Sequence, residues 1–374
     1  MKRIYKYISH CASALLRALP QASASAALAL ALPLLLGTTS CHKVEVDPDI
    51  DGKYEMNFNV VTADSKAYVK ETNILTEGNK FKVYAYYTQD FEKVDDQYVL
   101  EADADFTSFN DLVTYSTVTE NGSTVKKWVS FSDHYWEASA FYKFRAYFPG
   151  DFPATITDTD ASTPSFRGYS IEAMPDDQVD VLIAETNLSF NDVFVQGTGG
   201  QPDKVNPVPL NFRHLLSKIY LQVRMDNELV SSNFEADILA AAFRGVTRTA
   251  NYSGEDWVGH TGTTDVGMNF TPAKVLTPAN NLVSVFEDGI LVIPQEVTAG
   301  VVTAYIHAVL PIGTEGKTIE RPIEIILPAS SPAWEPGKQY TYKATITADY
   351  NIEFSTPTVA LWEGGSTSGT VVIR

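Results

Sequence analysis

The feature that most constrains this chain is a hydrophobic period of two. The stretch "YEMNFNVV" places Tyr54, Met56, Phe58 and Val60 on one face and Glu55, Asn57 and Asn59 on the other, as a half-buried strand requires. The same alternation returns in "FKVYAYY" (Phe81 to Tyr87), "YKFRAYF" (Tyr142 to Phe148), "KIYLQVRM" (Lys218 to Met225), "GILVIP" (Gly289 to Pro294), "TAYIHAVLP" (Thr303 to Pro311) and "YTYKATIT" (Tyr340 to Thr347). Clusters of Gly, Asn, Asp, Pro and Ser separate these runs, and stretches of helical period are few. The expectation is an all-β chain built as sandwiches.

With 374 residues, 44% of them hydrophobic, the chain can bury more than one core, and its length favours two domains. The best linker is "QGTGGQPDKVNPVP" (Gln196 to Pro209), where three glycines and three prolines interrupt the strand pattern. One sandwich is therefore expected over 54–200 and a second over 205–374. "FRHLLSK" (Phe212 to Lys218) has the spacing of a helical turn, but Pro207 and Pro209 before it and the alternation after it favour the start of a strand.

The first 40 residues are basic at the start, apolar from Ala26 to Leu36 and small or polar from Gly37 to Ser40, the layout of a secretory signal. A membrane span fits poorly, because the apolar run is about a dozen residues where a span needs roughly 20. Cys11 lies inside this leader, which leaves Cys41 as the sole later cysteine and excludes an intrachain disulfide. A lone cysteine after small residues is similar to a bacterial lipobox, although Thr38 stands where a larger aliphatic residue is usual. Acyl chains on Cys41 would bind outer-membrane lipid at about 0.8 kcal/mol per buried methylene. Residues 41–53 then form an acidic tether. Its "DPDIDG" (Asp47 to Gly52) opens like a calcium loop, but Phe58 occupies the twelfth position, where an EF-hand needs glutamate. An acidic stretch at this place resembles the surface-export signal of Bacteroidota lipoproteins; a plain solvated tether is the other reading.

The formal net charge is −18, and removing the four basic residues of the leader leaves 24 basic against 46 acidic residues. Nucleic acid is excluded as a partner by that balance. Catalytic motifs are absent too: there is no His-Glu-x-x-His pair, no phosphate loop and no Gly-x-Ser-x-Gly elbow, and "GGSTSG" (Gly364 to Gly369) carries Thr367 at its centre. His42, His134, His214, His260 and His307 are scattered, so neither a metal site nor a cofactor is expected. His214 reads as a histidine bonded to backbone where a domain begins rather than as a general base. Trp334 and Trp362 lie in strand-patterned segments and read as core. "DHYWE" (Asp133 to Glu137) mixes aromatic and acidic residues as carbohydrate sites and ordinary sheet rims both do.

At "PVPLNFRHLLSKIYLQVRM" (Pro207 to Met225) the chain resembles the fimbrillin-like family of Bacteroidota, the subunits and accessory proteins of type V pili. Phe212, His214, Ser217 and Lys218 match the family's shared Phe, His and Ser-Lys pattern. "YKFRAYFP", "DVLIAE" (Asp180 to Glu185) and the closing "WEPGKQYTYKATIT", which leads on to Trp362, agree in order. The resemblance implies two tandem transthyretin-like β-sandwiches behind a lipoprotein signal, a place at the outer membrane or in a fimbrium, and assembly with other pilus subunits by strand exchange. In shaft members a protease removes the first strand of the N-terminal domain. Here that strand is "YEMNFNVV", with Tyr54, Met56, Phe58 and Val60 as the plug. The family's shaft subunits usually offer Arg after it, whereas this chain offers Lys66 and Lys70, with no Arg between Cys41 and Arg145. An uncleaved, lipidated anchor or accessory protein fits that departure better than a shaft subunit. The C-terminal "TVVIR" (Thr370 to Arg374) is either a donor arm or the last strand of its own domain. Adhesion without catalysis is the leading expectation, with a host or glycan receptor as a further partner. The alternative is a surface glycan-binding lipoprotein that does not polymerise.

Overall fold

The computed structural model describes residues 54–362 apart from 61–67, 70–71, 95–96, 158–162, 199–202, 313–316 and 350, with side chains described from 74 onward and over 54–60. The chain is nearly all β, as the alternation predicts. Each alternating run lies on a strand: Lys80–Thr88, Phe141–Phe148, Ser217–Met225, Ile290–Val292, Thr303–Ile312, Lys338–Ile346 and, within "YEMNFNVV", Phe58–Val60.

A six-stranded antiparallel sheet runs in the order Arg213–His214, Leu182–Ser189, Phe141–Phe148, Lys80–Thr88, Thr107–Glu120, Ser123–Ser130. Its inner face is set by period two: Phe81, Val83 and Ala85 on one strand and Tyr142, Phe144, Ala146 and Phe148 on the next enter one core. Facing them are Met56, Phe58 and Val60, with Val208 and Leu210 from the neighbouring strand Val208–Leu210. The first core thus closes over this sheet with the N-terminal strand in its cover.

A second core lies between two further sheets. One carries Ser165–Ser170, Ala236–Ser253, Thr303–Ile312 and Lys317–Ile326, with Asp256–Leu276 also paired to Ala236–Ser253. The other centres on Ser217–Met225 paired in parallel with Lys338–Ile346, to which Thr358–Leu361 adds antiparallel. Ile219, Leu221, Val223, Tyr340, Tyr342 and Ala344 meet Ile238, Phe243, Ala304, Ile306 and Ala308 there, a sheet-on-sheet packing.

The chain crosses between the cores more than once. Phe166, Tyr169 and Ile171 join the second core, because a segment with three buried apolar side chains cannot stay in a solvated loop. Tyr147 and Ile183 also enter the second core, from the outer face of the first sheet. Buried Arg145 lies on that same outer face, with its guanidinium near Glu185 (3.9 Å) and donating to Asn187 Oδ1 (3.2 Å). Glu185 also meets Arg213 at 3.3 Å, and Arg213 reaches the Tyr252 hydroxyl at 3.0 Å.

Candidate functional site

The N-terminal strand sits between two rails. On one side Phe58–Val60 pairs in parallel with Val208–Leu210, and Val208 N–H donates to Asn57 O at 2.7 Å. On the other, Met56 N–H donates to His134 O at 2.7 Å and Trp136 N–H donates to Tyr54 O at 3.0 Å, around a bridge between Glu55 and Tyr135. Alternation then sends Met56, Phe58 and Val60 inward, each under a tenth exposed. The Phe58 ring meets Phe81 and Phe144 edge-on, with centroids 6.3 and 5.8 Å away. Half-buried Tyr54 packs on Phe190 at 5.5 Å and donates its hydroxyl to Asp203 at 3.2 Å. The four residues named from the sequence are therefore brought to one groove.

The second set of named residues forms the crossover between the cores. Phe212 packs against Phe81 in the first core at 5.5 Å. Two residues on, the His214 Nδ1 lies 2.5 Å from Asp180 Oδ2. In place of the backbone partner expected for His214, the structure supplies this buried carboxylate. The cause is register: Leu182 opposes His214 across the strand pair, which puts Asp180 on the diagonal. Asp180 is fully buried, and its Oδ1 has no hydrogen-bond partner among the described residues.

Trp362 stacks on the His214 ring at 3.9 Å and 13°, and Lys218 Nζ lies 5.3 Å above the same indole. Ser217 Oγ donates to Glu335 O at 2.7 Å, Gly337 N–H to Leu216 O at 3.0 Å and Trp362 N–H to Gly337 O at 2.7 Å. Gly337 holds φ +65°, which favours glycine. The Pro-Gly-Lys turn and the Ser-Lys strand are thus one hydrogen-bonded unit, with Trp362 fastening the end of the last described strand. Asp180 opens "DVLIAE", and nothing local in that run signals its pairing with a histidine 34 residues away.

Cys41, Lys66 and Lys70 lie outside the described residues. Among the described residues no group of three or more His, Cys, Asp or Glu side chains could hold a metal ion, and no helix is long and apolar enough to cross a membrane. His134 pairs with Asp111 and His307 with Glu320, while His260 reaches Trp257 O. Trp136 of "DHYWE" is buried, as are Trp128, Trp257, Trp334 and Trp362, so none of the five tryptophans offers an open sugar-stacking face. Near the groove Asp192 caps a short helix. Burial works to raise its carboxyl, but the Ser189 N–H at 2.7 Å, the Tyr98 hydroxyl and the Lys93 ammonium together hold it below the usual carboxylate range.

A family described as fimbrillin-like matches residues 61–362. The chain belongs to the fimbrillin-like family. Among solved structures, a fimbrial protein from Bacteroides vulgatus shares the fold at 15% identity and a TM-score of 0.53, over 82% of this chain and 99% of that one. A candidate cell adhesion protein from Bacteroides uniformis is 17% identical with a TM-score of 0.45, over 82% of this chain and 98% of that one. No curated protein sequence matches. The fimbrillin-like match covers the groove's Val208–Leu210 rail and every residue of the His214 cluster, and it begins just after the strand that fills the groove.

Proposed function

We propose that this fimbrillin-like chain is a cell-surface structural and adhesive component of type V pili, assembling by β-strand exchange and carrying out no catalysis. The observation that supports it most is the seating of residues 54–60: an extended segment ending in the short strand Phe58–Val60, bonded by backbone to His134–Trp136 on one side and Val208–Leu210 on the other, with alternate side chains sunk in the core. Burial of Met56, Phe58 and Val60 stabilises this seat by about 1.5–3 kcal/mol each. A strand of like pattern from a neighbour fits the same rails and core at similar free energy, which is the condition for exchange.

The two cores correspond, in this reading, to the two tandem β-sandwich domains. Cys41 carries the acyl anchor in the outer membrane, and Lys66 and Lys70 are the points at which a lysine-directed protease would free the strand. The partners are other pilus subunits, outer-membrane lipid and a host or glycan receptor. Intact mass and N-terminal sequencing of protein from the surface of its native cells test the processing. A new N-terminus after Lys66 or Lys70 supports a polymerising subunit. An acylated Cys41 with "YEMNFNVV" retained makes the chain an anchor, and an unacylated Cys41 refutes the lipid attachment.

A further inference from the structure

We infer that His134 is a positioning residue that fastens one rail of the groove and so sets how readily the Tyr54–Val60 strand leaves it. This rests on the reading of that strand as exchangeable. The Val208–Leu210 rail is a strand in its own right, but the opposite rail, His134–Trp136, is a connection between Ser123–Ser130 and Phe141–Phe148 with no ladder of its own. A connection that must present His134 O and Trp136 N–H at fixed positions needs anchors.

The structure supplies one at each end. Trp136 is buried and meets Tyr142 edge-on at 5.0 Å. At the other end the His134 ring stacks on Phe109 at 4.0 Å and 15°, and its Nε2–H donates to Asp111 Oδ2 at 3.0 Å. Asp111 is itself a buried residue of the Thr107–Glu120 strand, where it also accepts the Ser132 N–H at 3.0 Å and the Leu112 N–H at 2.7 Å. One carboxylate thereby ties the approach to the rail, at Ser132, and the rail itself, at His134, to the sheet. The carbonyl that receives Met56 N–H belongs to the residue so held, so a loose imidazole weakens the strand's Met56 backbone contact while Phe58 keeps its partners Phe81 and Phe144.

Amide hydrogen exchange on the mature chain tests this, with His134→Ala and His134→Gln beside the parent. His134→Ala is expected to speed exchange at Met56 and Trp136 about tenfold to a hundredfold, the loss of a hydrogen bond to a buried carboxylate, while amides of Phe141–Phe148 keep the parent rate. His134→Gln, whose side-chain amide reaches Asp111, restores most of the protection. Equal acceleration throughout the first sheet, or none at Met56, overturns the assignment. Adding a synthetic peptide of residues 54–60 separates the two ideas. Local acceleration without peptide uptake by any variant supports the fastening role and refutes strand exchange.

Discussion

Removing the Asp180 carboxylate has a cost that follows from its burial. Asp180 is fully buried and His214 only 8% exposed, with Oδ2 and Nδ1 2.5 Å apart. Asp180→Ala leaves the imidazole N–H desolvated and unanswered, and breaking a buried pair in this way costs about 3–5 kcal/mol. Deletion also removes Oδ1, which has no hydrogen-bond partner among the described residues, so the lower end, about 3 kcal/mol, is expected. Asp180→Asn keeps the volume and an acceptor oxygen and is expected to cost about 1–2 kcal/mol. Urea unfolding followed by tryptophan fluorescence measures both: the midpoint falls and the slope stays constant if only stability changes. His214→Ala combined with Asp180→Ala should cost little more than the worse single change, because each removes the same interaction. An alanine cost below about 1 kcal/mol, or single costs that simply add, would refute a coupled buried pair.

Three other outcomes follow from particular contacts. Phe58→Ala removes a core ring with two edge-on partners and should destabilise the seated strand by about 3–5 kcal/mol, read as faster exchange at Met56 and Val208. Gly245→Ala should lower the melting temperature, since the residue holds φ +70° and an added Cβ would lie 2.1 Å from Val301 O; an unchanged melting temperature would contradict that geometry. The Asp192 carboxyl is held below its ordinary range in the fold, so its stabilising effect is complete above about pH 4 and is lost as the pH falls through the depressed value. Asp192→Asn should therefore flatten the acid limb of the stability curve and leave its slope around neutrality unchanged.

The strands were legible where apolar residues recur at every second position. Phe81 to Tyr87 alternates cleanly, and the strand is Lys80–Thr88. The long hairpin of Ala236–Ser253 and Asp256–Leu276 was not, because three register shifts break its alternation and its second strand is largely exposed, rich in Thr and Gly. Period two also says that a strand exists without saying which sheet it joins, so the pairing of Ser165–Ser170 with Ala236–Ser253 was invisible. The groove was readable as a set of inward residues, since Met56, Phe58 and Val60 are two apart. Asp180 and Asp111 were not, because their histidines lie 34 and 23 residues away and only strand register or a folded connection brings such pairs together.

Severing the N-terminal strand in the folded protein tests strand exchange most directly. A specific protease site placed between Val60 and Tyr68 allows the cut, and an isotopically heavy peptide of residues 54–60 is then added before native mass spectrometry. Strand exchange predicts that the heavy peptide replaces the light strand one for one and that, without peptide, the cut chain forms detergent-resistant multimers. A cut chain that stays monomeric and takes up no peptide would contradict it.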